Sequence, residues 1–222
     1  MKIKFSIVVP VYNCQNTIEK LTIKIIKEIL LYSYSFEIIL VDDNSQDKSW
    51  DILKNLRDRS KKIKIFKNKK NIGQHLSIIK GLSRSKGENI FIMDGDLEDD
   101  PKNFTKFIKK KDNKTCLFGL VPPDNNKGYI SYFFWTIFSY LTKINKNYRS
   151  TTFCLIPRSS AMKLLKLKNI GFIYAELYRL NEKIEFVVYK KNKKSQIRKG
   201  YNYLKLILFS LKILFIYIFV KR

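Results

Sequence analysis

Residues 88–101 read ENIFIMDGDLEDDP. The first half, Glu88 to Met93, is short, apolar and rich in β-formers, the pattern of a buried strand. The second half sets Asp94, Asp96, Glu98, Asp99 and Asp100 directly behind it. Pro101 suits the first turn of a helix, and Asp99 or Asp100 suits its cap. Packed carboxylates repel one another unless a cation joins them. A hard divalent ion takes one or two carboxylates and fills its other positions with substrate phosphates. Asp94 and Asp96, alternate residues of an extended segment, point the same way, and Glu98 follows. The sequence alone also allows a solvated acidic loop that caps the next helix.

Working outward, the first hundred residues alternate between two periods. Ile3–Val11 is a β-branched run, and Phe36–Val41 (FEIILV) is a second. Ile63–Phe66 is a short third strand. Between them, 14–31 carries Ile18, Leu21, Ile25 and Ile29 at helical spacing, with Asn16 or Thr17 as cap. Ser45 reads as the N-cap of a helix ending near Arg57. A third helix is predicted over 71–85, with Leu76, Ile79 and Leu82 inward. Strands alternating with helices imply βαβ units and a mostly parallel sheet, an α/β fold. In such a sheet ligands bind at the carboxyl ends of the strands. Three polar clusters, Tyr12–Asn13, Asp42–Asp43 and Asp94–Asp96, each end a strand and so converge on one crevice. No G-x-G-x-x-G follows the first strand and no G-x-x-x-x-G-K-[ST] occurs, which excludes the Rossmann dinucleotide and P-loop signatures.

Beyond residue 115 the pattern changes. Strands are predicted at 115–121, 152–156 and 185–189, the last at a sheet edge, with a short helix at 159–167. Residues 128–144, GYISYFFWTIFSYLTKI, place Ile130, Phe133, Phe134, Ile137, Phe138, Leu141 and Ile144 on one helical stripe. A stripe bordered by Trp and Tyr suits a lipid interface; packing on the sheet is the other reading. Residues 203–220 are apolar on nearly every side and would span about 27 Å as a helix. Lys205 and Lys212 interrupt them on one face. A lysine near the bilayer centre costs roughly 2.5–3.5 kcal/mol, so an in-plane helix is favoured over a spanning one.

The 222 residues carry 44 basic against 19 acidic side chains, a net charge of +25. Three sources fit that excess: a nucleic-acid binder, a protein on anionic lipid, or a Lys-, Ile- and Asn-rich source composition. The charge is uneven. Acidic residues gather at 42–47 and 94–100, whereas Lys190, Lys191, Lys193, Lys194, Arg198 and Lys199 form one basic run. That asymmetry fits a catalytic half joined to a membrane-facing half, with no nucleic-acid partner. Cys14, Cys116 and Cys154 show no metal-site spacing and read as free thiols. The opening MKIKFSIVVPVYN reads as a strand rather than a leader, which places the catalytic part at the cytoplasmic face of the membrane.

Four segments in this order and spacing, FSIVVPVYN, VDDNSQDKS, NKKNIGQHLSIIKG and FIMDGDLEDDP, resemble family 2 glycosyltransferases of the GT-A fold. DGDLEDDP is similar to the D-x-D-L-Q-x-x-P segment of the dolichyl- and polyprenyl-phosphate sugar synthases. Weaker similarity continues through STTFCLIPRSSAMKLL, GYISYFFWTIFSYL and GYNYLKLILFSLKIL. The resemblance implies a GT-A, Rossmann-like sheet flanked by helices, with amphipathic juxtamembrane helices. It divides the chain into a nucleotide-sugar-binding core (1–125), an acceptor- and membrane-facing part of the same domain (126–200) and a C-terminal membrane helix (201–222). It implies that Pro10, Tyr12, Asn13, Asp42 and Asp43 hold the nucleotide. It further implies that Asp94, Asp96 and Glu98 hold Mg²⁺ or Mn²⁺ and the diphosphate, with Asp94 and Asp96 catalytic. Glu98 replaces the family's usual Gln. The relatives' acceptor-binding Arg in F-R-L is Cys154 here, leaving Arg149 and Arg158 as acceptor-phosphate candidates, and Cys14 stands where many relatives carry Glu. The expected partners are a nucleotide-diphosphate sugar, a polyprenyl phosphate or lipid-linked acceptor, the membrane surface, and a membrane subunit or second copy. His75 reads as a packing or surface residue, and Glu176 as a minor candidate for general base.

Overall fold

The computed structural model describes residues 3–122, 136, 148–167 and 172–192. Among these a seven-stranded sheet forms from β1 (Phe5–Val11), β2 (Phe36–Asp42), β3 (Ile63–Lys67), β4 (Asn89–Ile92), β5 (Thr115–Val121), β6 (Arg149–Pro157) and β7 (Lys183–Val188). The helices are α1 (Ile18–Leu30), α2 (Ser49–Arg59), α3 (Gln74–Arg84), α4 (Phe104–Lys110), α5 (Arg158–Leu165) and α6 (Ile173–Arg179), with a 3-10 turn at Pro101–Asn103 before α4. The expected amphipathic helices at 128–144 and 203–220 lie outside the described residues, apart from the helical Thr136. Among the described residues no helix is long and apolar enough to cross a membrane.

The strand order is β3-β2-β1-β4-β6-β5-β7. β1, β2, β3 and β4 pair in parallel, as do β5 and β7, while β6 runs antiparallel between β4 and β5. The sheet is therefore mostly parallel, and the edge position predicted for 185–189 holds. β1, β2 and β4 are buried on both faces, which is why they read as continuous apolar runs. On one face Ile7, Val9, Ile38, Leu40, Phe91 and Phe153 meet Leu21 and Ile25 of α1, Leu53 of α2 and Phe104 and Phe107 of α4. The phenylalanines stack there, with Phe91 and Phe104 centroids 4.2 Å apart. On the other face Val8, Ile39, Val41, Ile90 and Ile92 meet Ile78 of α3, Leu164 of α5 and Tyr174 of α6.

Three local expectations need correcting. Helix α3 begins at Gln74, not Asn71, because Asp43 draws the Ile72 and Gly73 amides away from a helical path. Its inward residues are Ser77, Ile78, Gly81 and Leu82, while Leu76 is 45% exposed. Gly81 is where the helix crosses the sheet closely: a Cβ there would lie 2.3 Å from Val8 Cγ1. Finally, Ser45 is no N-cap. Helix α2 begins at Ser49, whose amide donates to Asp47 Oδ1 at 2.9 Å.

Candidate functional site

The chain leaves β1 toward β2 on one side and reaches β4 on the other, so the carboxyl ends of β1 and β4 form a topological switch point. Pro10 opens it. In β1, Val8 faces β4, for its carbonyl accepts from the Met93 amide at 3.2 Å. Val11 faces β2, its carbonyl accepting from the Asp43 amide at 2.8 Å. Pro10 shares the parity of Val8. It therefore presents its missing N–H where β4, paired only through Ile92, has already departed. The polar ends of β1, β2 and β4 gather around that gap, as the sequence predicted.

The loop after β1 is bolted to the loop after β2. The Asn13 amide donates to Ser45 Oγ (3.0 Å), the Cys14 amide to Ser49 Oγ (2.8 Å) and the Gln46 amide to Asn13 Oδ1 (2.9 Å). Asn13 and Asn44 adopt left-handed φ of 52° and 61°, which Asn tolerates better than most residues. Tyr12 is 48% exposed at the rim. Asp42 and Asp43 divide their work. Asp43, 3% exposed, accepts from Asn68 Nδ2 (2.8 Å), the Ile72 amide (2.9 Å) and the Gly73 amide (2.8 Å). It thus shapes the turn into α3, in which Gly73 has φ 90°. Asp42 is fully buried: Oδ2 accepts from the Ser45 amide, and Oδ1 has no hydrogen-bond partner among the described residues.

The acidic turn packs onto the first loop. Thr17 Oγ1 donates to the Gly95 carbonyl at 2.7 Å, and a Cβ on Gly95 would lie 3.1 Å from Cys14 Sγ. Burial pushes the Cys14 thiol up to about 11, so it stays protonated there. Gln74 at the start of α3 donates Nε2–H to Asp94 Oδ1. Asp96 Oδ1 accepts from the Glu98 amide at 3.1 Å. Asp100 caps the 3-10 turn by accepting from the Lys102 amide. Asp99 instead enters the core, accepting from the Tyr189 hydroxyl, which lies 3.0 Å from Thr151 Oγ1. Burial raises the Asp99 carboxyl against the opposing pull of Lys191 and Tyr189.

Glu98 has a partner of its own. It pairs with Lys191, Nζ to Oε2 at 3.2 Å, instead of completing a triad with Asp94 and Asp96. Among the described residues no three His, Cys, Asp or Glu side chains gather as a metal-holding group. Asp94 and Asp96 remain as hard oxygen donors, which suffice for an ion that takes one or two carboxylates. Nor is Lys191 part of a uniformly membrane-facing basic run. The signal for this contact is absent from local sequence, because the two residues lie 93 positions apart.

The two acceptor-phosphate candidates lie at opposite ends of β6. Arg149 begins β6 beside Val121, at the same sheet edge as the carboxylates. Antiparallel β6 carries the chain to the other edge, where Arg158 donates to the Ser85 carbonyl at 2.7 Å. At about 3.3 Å per residue the two arginines lie roughly 30 Å apart. Cys154 is buried in the apolar layer beside Ile92 and Phe118. His75 packs edge-on against Phe172, and burial pulls its imidazole down to about 4, so it is a neutral packing residue. Glu176 is buried and paired with Arg179 at 3.0 Å.

This doubly covered sheet, with carboxylates at the switch point, is a GT-A fold. Solved structures share it. Over 96% of this chain and 78% of the other, it is similar to glucosyl-3-phosphoglycerate synthase from Mycobacterium tuberculosis in complex with Mn²⁺, UDP-glucose and phosphoglyceric acid (TM-score 0.66, 14% identity). Over 97% of this chain and 66% of the other, it is similar to S. aureus TarS residues 1–349 in complex with UDP-GlcNAc (TM-score 0.61, 17% identity). The glycosyl transferase family 2 profile matches residues 6–170, and the chain belongs to that family. Among curated relatives, the undecaprenyl-phosphate 4-deoxy-4-formamido-L-arabinose transferase of Edwardsiella ictaluri is 30% identical over 126 residues, 56% of this chain and 38% of that protein. The enzyme of the same name from Pseudomonas aeruginosa is 33% identical over 107 residues, 47% of this chain and 31% of that protein. The chain thus matches about a third of the length of these relatives.

Proposed function

We propose that this glycosyltransferase moves a sugar from a nucleotide-diphosphate donor to polyprenyl phosphate at the cytoplasmic membrane face. The observation that carries the donor half is the meeting of the β1, β2 and β4 ends at the switch point opened by Pro10, where Asp94 and Asp96 follow β4. Tyr12 offers an exposed ring for the base to stack on. Asp43 serves the nucleotide indirectly, by fixing the turn that presents Gln74 to Asp94. Support for the acceptor comes from the undecaprenyl-phosphate relatives and from the apolar segments in the sequence.

Asp94 and Asp96 would hold the divalent ion with the donor diphosphate, Gln74 orienting Asp94 through its Nε2–H. When bound, that ion supplies positive charge that stabilises the departing diphosphate. An acceptor phosphate oxygen is already ionised near neutral pH, so it attacks the anomeric carbon without a strong base. The bond to the diphosphate breaks on the opposite face, and the anomeric configuration inverts. Arg149, at the start of β6, would neutralise the acceptor phosphate.

A second reading keeps the donor chemistry and replaces the acceptor by a lipid-linked saccharide; Cys154 at the family's arginine position favours it. The test is transfer of labelled sugar from several nucleotide sugars into organic-extractable lipid, with Mg²⁺ or Mn²⁺, alongside Asp96→Asn. Metal-dependent, mild-acid-labile lipid label that Asp96→Asn lowers at least a hundredfold is the expected result. No lipid label despite donor binding would sink the polyprenyl-phosphate reading. Near-wild-type transfer by Asp96→Asn would sink the metal role.

A further inference from the structure

Asp94, Asp96, Glu98 and Asp99 crowd one turn, and so many like charges require a cation nearby. The chain itself supplies one. Lys191 Nζ lies 3.2 Å from Glu98 Oε2 and 3.6 Å from Asp99 Oδ1.

The neighbouring residues fix this contact. The Tyr189 amide donates to the Leu120 carbonyl at 3.0 Å, extending the β7 pairing, and its hydroxyl is bound to Asp99. The Asn192 amide donates to the Glu98 carbonyl at 2.8 Å, and its Nδ2 to the Leu97 carbonyl at 3.0 Å. Leu97 has φ 64°, a conformation uncommon for a bulky residue and held only by such surroundings. Residues 189–192 therefore clamp the turn and aim Glu98 at Lys191.

Resting on the reading of Asp94 and Asp96 as the metal–diphosphate pair, we propose that Lys191 is a resident cation that holds Glu98 out of the divalent ion's ligand set. With that ammonium beside them, Asp94 and Asp96 bind free metal weakly. The diphosphate of the donor supplies the remaining negative charge, so metal and nucleotide bind together. Lys191 acts through Glu98 and is a positioning residue.

The test is Mn²⁺ binding to the full chain, followed by the paramagnetic signal of free Mn²⁺, without nucleotide and with saturating UDP. Removing a unit positive charge and freeing a carboxylate should tighten nucleotide-free Mn²⁺ binding about tenfold in Lys191→Met. Lys191→Arg should keep wild-type affinity. Glu98→Gln, with Lys191 in place, should change affinity less than threefold, and Lys191→Met/Glu98→Gln should lose most of the tenfold gain. Unchanged or weaker binding in a folded Lys191→Met, or tenfold weaker binding in Glu98→Gln, would overturn the proposal. If Lys191→Met does not fold, Glu98→Gln decides alone. Mn²⁺ binding that is indifferent to Asp96→Asn would instead overturn the metal reading itself, and absence of binding in every protein would overturn both.

Discussion

Replacing Asp43 by Ala tests whether this residue builds the site or merely lines it. Its two oxygens accept three hydrogen bonds, from Asn68 Nδ2, the Ile72 amide and the Gly73 amide, at 2.8–2.9 Å. Asn68 Nδ2 also reaches Ser77 Oγ at 2.9 Å, so the network ties β3 to α3. A hydrogen bond to a charged group contributes about 1.5–3 kcal/mol, and the orphaned amides add a desolvation cost. The three are not additive, which gives about 3–5 kcal/mol for Asp43→Ala. Asp43→Asn keeps the shape but turns one acceptor into a donor facing an amide, at about 1.5–3 kcal/mol. Urea unfolding followed by far-ultraviolet circular dichroism measures both, and hydrogen exchange reads the Ile72 and Gly73 amides directly. Loss of less than 1 kcal/mol in Asp43→Ala, with both amides still protected, would refute the reasoning and return Asp43 to a purely ligand-binding role.

Two further outcomes follow from residues remote from the crevice. Glu37 is buried; its oxygens accept from Ser6 Oγ (2.7 Å), the Lys86 amide (2.6 Å) and Lys64 Nζ (2.5 Å). Burial raises its pKa, but these donors prevail and hold it below the ordinary 4.5. A lowered folded pKa means the stabilisation is complete above pH 4.5 and is lost as pH falls through the folded value. Stability should therefore fall as pH drops below 4.5, and Glu37→Gln should be less stable at pH 7 with a flatter acid limb, read from urea midpoints across pH. Gly87→Ala places a Cβ 2.4 Å from the Ser6 backbone nitrogen and 2.7 Å from Ser6 Oγ, which accepts the Gly87 amide at 2.8 Å. Backbone cannot yield as a side chain does, so a loss of about 2 kcal/mol or more in thermal or urea unfolding is expected; a loss under 0.5 kcal/mol would contradict the close approach.

The sequence by itself determined the βαβ order, the burial of β1, β2 and β4 and the convergence of Tyr12–Asn13, Asp42–Asp43 and Asp94–Asp96. These follow from period and from the rule that parallel strands present their carboxyl ends together, both local properties of the chain. Pro10 was legible as a residue but not as a wedge, since its meaning depends on which neighbour its missing N–H faces. Only the tertiary structure decided that β6 inserts antiparallel between β4 and β5. That insertion leaves Arg149 and Arg158 at opposite ends of β6, nine positions apart. Only the tertiary structure turned Asp43 inward to the Ile72 and Gly73 amides, 29 and 30 positions on. It likewise set Lys191 against Glu98 and Tyr189 against Asp99, across 93 and 90 positions. Such contacts arise from strand order, which no single segment encodes, and they separate the carboxylates available to a ligand from those already held by the protein.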